Sequence, residues 1–325
     1  MNKTIILSTI IGLIFLSIAC EKVIEIDLED AKIRIVANSI LEPDSIVRVN
    51  VTRSRHILDN AAIIPLSDAI VKLYEADNYI GTLNYISQGN YEINYYPEIG
   101  KEYRIEVLHN DFDDVFSKTI IPPVVKLNYI DTVKSFNQDG YEVYNFYANF
   151  TDPGAINNYY YLKMKNRYKI EVYDENIITI DTLYVGPDTT IVNITQGGTY
   201  YKSLEESLYY QSDDLIFEEY HPGSNGQIFS DEIIDGKSYT LKTSVQHWSF
   251  YADTNTVIIE LYAINKELYQ YLISYSKHNE ASGDPFAEPI NVFTNIENGI
   301  GIFGGSSIYR DSIKIIGNFG YNYWK

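Results

Sequence analysis

The chain has a single cysteine, Cys20, among its 325 residues. One cysteine cannot form an internal disulfide, so the fold must be stabilised by a hydrophobic core. It also leaves no cysteine pair for a zinc site. The histidines share no spacing typical of metal ligands; they are His56, His109, His221, His247 and His278.

Basic residues are also scarce. The chain has 25 Lys and Arg residues against 44 Asp and Glu residues, which gives a formal net charge of −19. A protein this acidic repels nucleic-acid phosphates and anionic lipid headgroups. The composition therefore excludes a nucleic-acid partner and excludes membrane attachment through a basic patch.

Sequence motifs of catalysis are missing. There is no G-x-S-x-G motif. The run from Gly299 to Gly304 has the letters of a dinucleotide fingerprint, but too few residues follow it for the required helix and ribose-binding acid. We therefore expect these glycines to permit tight turns or close backbone approach. The acidic run Asp111 to Asp114 lacks the Gly and the distal Glu of an EF-hand loop. The sequence predicts no enzyme activity, no cofactor and no metal site.

The N-terminus is typical of an exported protein. Lys3 precedes an apolar run from Ile5 to Leu16, and small residues end the run before Cys20. This pattern is typical of a secretory signal and is too short for a membrane-spanning helix. Its end resembles the lipobox of bacterial lipoproteins. The resemblance implies removal of residues 1–19 and lipidation of Cys20; the alternative is an ordinary signal peptide followed by a chance cysteine.

Residues 20–31 form an acidic segment. It resembles the export signal that sends Bacteroidota lipoproteins to the outer face of the outer membrane. The resemblance implies a lipid-anchored protein that faces the cell exterior. Two alternatives remain open for this segment: a plain solvated linker, and an edge strand, because its apolar and charged residues alternate.

The rest of the chain is typical of β structure. It has 31 Tyr but 2 Met, and apolar residues alternate with polar ones in many short runs. We predict a mainly β protein with an immunoglobulin-like or fibronectin-like β-sandwich over residues 32–123. Pro122 and Pro123 mark its end. A second β-sandwich-like domain is predicted over residues 124–325.

Two local signals refine this prediction. Pro97, Gly100 and Tyr103 resemble the tyrosine corner of immunoglobulin-like sandwiches, in which a Tyr hydroxyl ties a crossover loop. Near residues 265–279 the apolar positions change to helical spacing after Asn265, a residue that can cap a helix. We predict one substantial helix there, covering a face of a sheet.

The C-terminal third contains the most specific sequence motifs. They are PFAEP at residues 285–289 and NIENGIGIFGG at residues 295–305. Together with the Cys20-Glu21-Lys22 start, they resemble the DUF4249 family of Bacteroidota lipoproteins over nearly the whole mature chain. The family's chemistry is not known, but its members are commonly encoded beside TonB-dependent outer-membrane transporters.

The resemblance and the missing catalytic motifs together predict a non-catalytic lipoprotein that assists such a transporter in ligand capture or uptake. One alternative is a structural or adhesive envelope lipoprotein with no transport role. Another is a glycan-active hydrolase, which a deep pocket with clustered carboxylates would favour.

Aromatic residues are the candidate contacts with a partner or ligand, because rigid aromatic side chains dominate many interfaces. The competing interpretation is that they are core or strand residues. The candidates are Tyr200, Tyr201, Tyr209, Tyr210, Phe286, Phe293 and Phe303.

Five triplets of Asp, then Ser or Thr, then an apolar residue or Thr resemble Bacteroidota O-glycosylation sites. The alternative is that Asp followed by Ser or Thr simply begins strands. The candidate acceptors are Ser45, Thr132, Thr182, Thr189 and Ser312.

Lipidation predicts a direct result for Cys20→Ser. Without the thiol no acyl anchor can be attached, so we expect the variant in the soluble fraction after cell lysis. Fractionation followed by immunoblotting measures this. A variant that still sediments with outer membranes after a high-salt wash would contradict the prediction.

Overall fold

A computed structural model describes residues 32–55, 62–186, 189–218, 226–282, 288 and 290–316. The side chains of residues 181–193 lie outside this description. Cys20, the acidic segment and Phe286 also lie outside the described residues, so the predictions made for them stay predictions.

The described chain is mainly β with one α-helix, which confirms the predicted fold class. The helix is α1 (Lys266–Ala281). The strands are β1 (Ile35–Leu41), β2 (Val47–Arg53), β3 (Ile64–Pro65), β4 (Ile70–Glu75), β5 (Asn78–Thr82), β6 (Asn84–Ser87), β7 (Asn90–Ile93), β8 (Glu102–His109), β9 (Phe112–Ile120), β10 (Leu127–Phe136), β11 (Glu142–Thr151), β12 (Tyr159–Gly186), β13 (Thr189–Ser207), β14 (Gly226–Ser230), β15 (Ser238–Gln246), β16 (Thr254–Ile264) and β17 (Ile300–Ile316).

The strands form three sheets. The largest follows the order β13-β12-β16-β17-β1-β2-β7-β6, with β14 paired to β12 and β3 paired to β2. A four-stranded sheet, β5-β4-β8-β9, packs against one end of it, and a three-stranded sheet, β10-β11-β15, packs against the other. Two hydrophobic cores result, each between a smaller sheet and part of the largest sheet.

The two cores follow the chain order with one exception. Ile121 packs in the first core and Val125 packs in the second, on either side of the predicted boundary near residue 123. Ile296 and Phe303, however, come from the C-terminal part of the chain and pack in the first core. The first core is therefore completed by residues from the C-terminal part of the chain, which come after most residues of the second core in the sequence.

Period-2 alternation explains why individual strands form. Val47, Val49 and Val51 of β2 are buried, because alternate residues of a strand point to the same face. The predicted tyrosine corner is confirmed. The Glu98 backbone N–H donates to the buried Tyr103 hydroxyl oxygen at 2.7 Å, which ties the connection before β8 to the first core.

Helix α1 confirms the predicted helix and its cap. The Asn265 side chain accepts a hydrogen bond from the Leu268 N–H at 3.3 Å, which satisfies one of the free donors at the helix start. Leu268 packs with Ile264 and Ile302 on the outer face of the largest sheet. No helix in the described part of the chain has the length and apolar character needed to cross a membrane.

Strand β17 joins the two halves of the largest sheet. It pairs with β16 antiparallel on one side and with β1 parallel on the other. Its glycines permit the close backbone approach expected from the sequence. Gly301 has φ +118°, and a Cβ there would lie 2.1 Å from the Ala37 carbonyl oxygen. A Cβ on Gly305 would lie 2.2 Å from the Ile120 carbonyl oxygen.

Asparagine side chains hold the same strand in register. Asn295 donates to the Phe303 carbonyl and accepts from the Phe303 N–H, each at 2.9 Å. The Asn265 side chain accepts from the Gly305 N–H at 3.1 Å, in addition to its capping bond. The glycines and asparagines of the NIENGIGIFGG run are therefore explained by the close packing and hydrogen bonding of the β17 backbone.

An ion cluster crosses the middle of the largest sheet on the face opposite the second core. Glu260 of β16 is buried, and its Oε1 accepts from Arg310 Nε at 2.8 Å and from Lys165 Nζ at 3.1 Å. Tyr262 donates to the other carboxylate oxygen at 3.1 Å. Burial alone would raise the pKa of Glu260, but the hydrogen bonds from Arg310 and Lys165 outweigh burial and hold that pKa below its ordinary value.

Gly301→Ala should lower the free energy of unfolding by about 2–5 kcal/mol, because it combines left-handed strain with a backbone clash. Gly140→Ala is the matched control, since Gly140 has φ +82° but a Cβ added there would meet no atom within 4 Å. The control should lose about 1–2 kcal/mol. Urea unfolding measures both, and equal losses would contradict the close-approach explanation.

Glu260→Gln should lower the free energy of unfolding at pH 7 by about 1–3 kcal/mol, because the bonds from Arg310 and Lys165 lose their charge assistance. The folded-state pKa of Glu260 is lowered from 4.5, so its carboxylate stabilises the fold above that pH. This contribution is lost as the pH falls through the folded pKa. Urea unfolding between pH 7 and pH 3 should therefore show a weaker loss of stability with acid in the variant. Identical slopes would contradict the assignment.

Candidate functional site: an exposed aromatic ribbon

The β12–β13 hairpin extends far beyond the rest of its sheet. The two strands pair from Lys165 with Ser207 to Gly186 with Thr189, whereas β16 pairs with β12 only as far as Tyr168. Beyond that residue, each strand pairs only with the other among the described strands. We call residues 169–186 and 189–202 the aromatic ribbon. At about 3.3 Å per residue it is on the order of 50 Å long.

The aromatic ribbon exposes large apolar side chains, namely Tyr173, Ile178, Ile180, Ile194, Tyr200 and Tyr201. A two-stranded hairpin is at best marginally stable alone in water, because it lacks a core on either face. Ile180 lies opposite Ile194 on one face, and neighbouring exposed apolar side chains of this kind mark interaction sites in soluble proteins. The aromatic ribbon therefore has the character of a contact surface.

Register places aromatic residues on both faces of the ribbon. Val172 lies opposite Tyr200, and Glu171 lies opposite Tyr201. Opposed residues of an antiparallel pair point to the same face, and consecutive residues point to opposite faces. Tyr200 and Tyr201, which are 43% and 71% exposed, thus offer one ring to each face. This geometry fits the contact role predicted for both.

The structure separates the other two tyrosine candidates. Tyr209 is exposed, beyond the end of β13. Tyr210 is 5% exposed, and its hydroxyl donates to the Leu162 carbonyl at 2.8 Å. Burial raises the pKa of Tyr210 well above its ordinary value, so the hydroxyl remains a donor. The predicted contact role of Tyr210 is corrected to a core role, because its side chain is enclosed in the second core.

The phenylalanine candidates are also divided. Phe303 is fully buried in the first core, so its predicted contact role is corrected to core packing. Phe293 is half-buried against the cluster around helix α1, and its N–H donates to Ser274 Oγ at 2.8 Å. No local pattern distinguished Phe303, because the apolar residues Ile300 and Ile302 alternate on the opposite face of the strand.

The candidate glycosylation residues lie in different surroundings. Ser312 is exposed on β17 and Ser45 is half-buried, whereas the Thr132 hydroxyl is buried. Thr182 and Thr189 belong to the ribbon strands, with side chains outside the description. Asp131 and Asp311 each accept the N–H of the next residue, a local bond that accounts for Asp-Thr and Asp-Ser without a sugar. Glycosylation stays a prediction.

One acidic cluster was not visible in the sequence. Asp152, Asp231 and Asp235 bring carboxylate oxygens within 4.8 Å of one another, a spacing that could hold a cation. They already accept several hydrogen bonds. Asp152 accepts from the N–H groups of Gly154 and Gly236, each at 2.9 Å. The trio therefore ties the β11–β12 connection to the β14–β15 connection, and only tertiary structure brings these distant residues together.

Comparisons with known proteins give a family and 19 matching chains among the solved structures. One of these chains is the collagen binding domain of the surface protein RspB from Erysipelothrix rhusiopathiae. It has 8% identity and a TM-score of 0.19, and covers 86% of this chain and 96% of that domain. So low a score carries no functional information. No curated protein matches the chain.

The family result covers most of the sequence. The family described as "Domain of unknown function (DUF4249)" matches residues 21–312. That span begins directly after Cys20 and includes the first core, all of the buried second core except Ile315, the aromatic ribbon, helix α1 and most of β17. The chain belongs to the DUF4249 family.

Proposed function

We propose that this protein is a surface-exposed outer-membrane lipoprotein that acts by binding rather than by catalysis. In this proposal it docks on a TonB-dependent transporter and helps in ligand capture or uptake. The observation that supports docking is the aromatic ribbon, an arm with exposed Tyr and Ile side chains. The choice of partner rests on the family resemblance.

The aromatic ribbon has features that protein interfaces use. Tyr supplies a large, rigid contact area with little conformational entropy to lose, and it is common among residues that dominate binding energy. A partner that covers Tyr200, Tyr201 and their neighbours would remove apolar surface from water and stabilise the hairpin at the same time. Docking thus accounts for the exposed apolar surface of the ribbon, which is unfavourable in the free protein.

The proposed anchor is consistent with docking at a membrane. Residues 20–31 separate the acylated cysteine from the first described residue, Lys32. Fully extended, they reach at most about 40 Å. The folded body would therefore remain close to the membrane surface, within reach of a protein embedded in it. The acidic net charge is compatible with this arrangement, because the acyl chains and not basic residues provide the attachment.

The test uses the full chain, tagged and expressed with the neighbouring genes. Tagged wild-type protein should recover a TonB-dependent transporter from detergent-solubilised outer membranes, as identified by mass spectrometry. The double variant Tyr200→Ser/Tyr201→Ser should reduce the recovered transporter about tenfold or more, because two aromatic contacts are removed.

The matched control is Tyr96→Ser, which removes a comparably exposed tyrosine from the connection between β7 and β8. It should leave recovery unchanged. Failure of the wild-type protein to recover any transporter would overturn the proposal and favour the structural or adhesive alternative. Recovery that is equal for wild type and the ribbon variant would remove the ribbon as the docking surface.

A further inference from the structure

A second surface lies outside the aromatic ribbon and is independent of the proposed docking. It is an open groove of about 890 Å³ on the outer face of the three-stranded sheet β10-β11-β15. The β10–β11 turn forms one wall and residues 211–215 form the other. The floor is the pleated face of β11 and β15 that points away from the second core.

Hydrogen bonds fix the second wall against β15. The Gln211 and Ser244 backbones exchange two bonds of 2.9 and 2.8 Å. Asp214 accepts from the Tyr239 hydroxyl and, at 3.3 Å, from the Lys242 N–H. Burial and the bond to Asp214 raise the pKa of Tyr239 to about 12, so this hydroxyl stays protonated and keeps donating. The wall is therefore held rigidly above the floor.

The floor side chains, in contrast, are left without partners. Asn145 and Tyr147 of β11 lie opposite Ser244 and Lys242 of β15. Their side chains have no hydrogen-bond partner among the described residues, and neither does the side chain of Gln211. Opposed residues lie about 5 Å apart and alternate residues about 7 Å apart, so these four polar residues form a small grid beside Val143, which lies on the same face.

Apolar side chains flank this polar floor. Phe136 is 66% exposed in the first wall, and Leu215 is 94% exposed in the second. Free polar groups by themselves would indicate only a hydrated surface, and exposed apolar residues by themselves are common on any protein surface. Their convergence on one concave surface, with a wall fixed by its own hydrogen bonds, is the arrangement of a binding site.

We infer that this groove binds a neutral oligosaccharide. An amide such as Asn145 both donates and accepts, so it can bond two neighbouring hydroxyl groups of a sugar. The Phe136 ring offers a flat apolar face to the C–H face of a sugar ring. The groove carries one ammonium, that of Lys242, against the carboxylates of Asp139, Asp213 and Asp214. This excess of acid, in a chain of net charge −19, disfavours an anionic ligand.

The groove is less suited to an extended peptide. Peptides that bind sheets commonly add a strand to a free edge and use the backbone hydrogen bonds of that edge. Here the floor is a sheet face, and the β15 edge at Ser244 is already occupied by Gln211. Side-chain recognition of hydroxyl groups therefore fits the surface better than backbone pairing does.

The test is isothermal titration calorimetry of the full-length lipoprotein in a detergent without a sugar headgroup. The probes are maltohexaose, cellohexaose, laminarihexaose, xylohexaose, mannohexaose and chitohexaose, beside a library of uncharged hexapeptides. At least one oligosaccharide should bind. Asn145→Ala and Tyr147→Phe should each weaken that binding about 3- to 10-fold, the effect of losing one hydrogen bond.

The matched control is Tyr129→Phe, which removes a hydroxyl from an exposed tyrosine of β10 outside the groove. It should bind as the wild type does. The inference is overturned if none of the oligosaccharides binds, if only peptides bind, or if binding survives both groove substitutions unchanged. None of these results depends on a transporter, so the docking proposal stands or fails separately.

Discussion

The close passage of β17 between β16 and β1 is the constraint on which the rest of the structure depends. Because β1 approaches too closely for a side chain at Gly301, and the end of β9 does so at Gly305, only glycine allows the strand to lie there. Hydrogen bonds from Asn295 and Asn265 then hold it in place. Phe303 completes the first core from this strand, while Ile315, near its other end, packs in the second.

Because both cores share this strand, the largest sheet runs continuously through the two units that pack around the first and the second core. Buried polar residues reinforce the connections within and between these units. Glu260 joins β12, β16 and β17 through Lys165 and Arg310, and the trio of Asp152, Asp231 and Asp235 fastens two connections together. Such groups favour a single arrangement of strands, because separating them would leave a buried charge without its partners.

The two proposed binding surfaces use this rigid scaffold differently. The aromatic ribbon extends away from the sheet, and its apolar side chains suit a protein partner. The groove is a fixed concave surface whose free polar side chains suit a ligand rich in hydroxyl groups. A protein that binds a small ligand with one surface and a membrane partner with another can bring that ligand to the partner, which joins both proposals without making either depend on the other.

The sequence by itself determined the elements whose signals are local. The alternation of apolar and polar residues predicted the strands, and the change to helical spacing predicted helix α1. Asn265 predicted the cap of that helix, and Tyr103 predicted the tyrosine corner. Tertiary structure alone decided the parallel pairing of β1 with β17, the burial of Tyr210 and Phe303, and the assembly of the groove from three separated segments. The physical reason is that period and propensity act between near neighbours, whereas burial depends on which distant strand packs against each face.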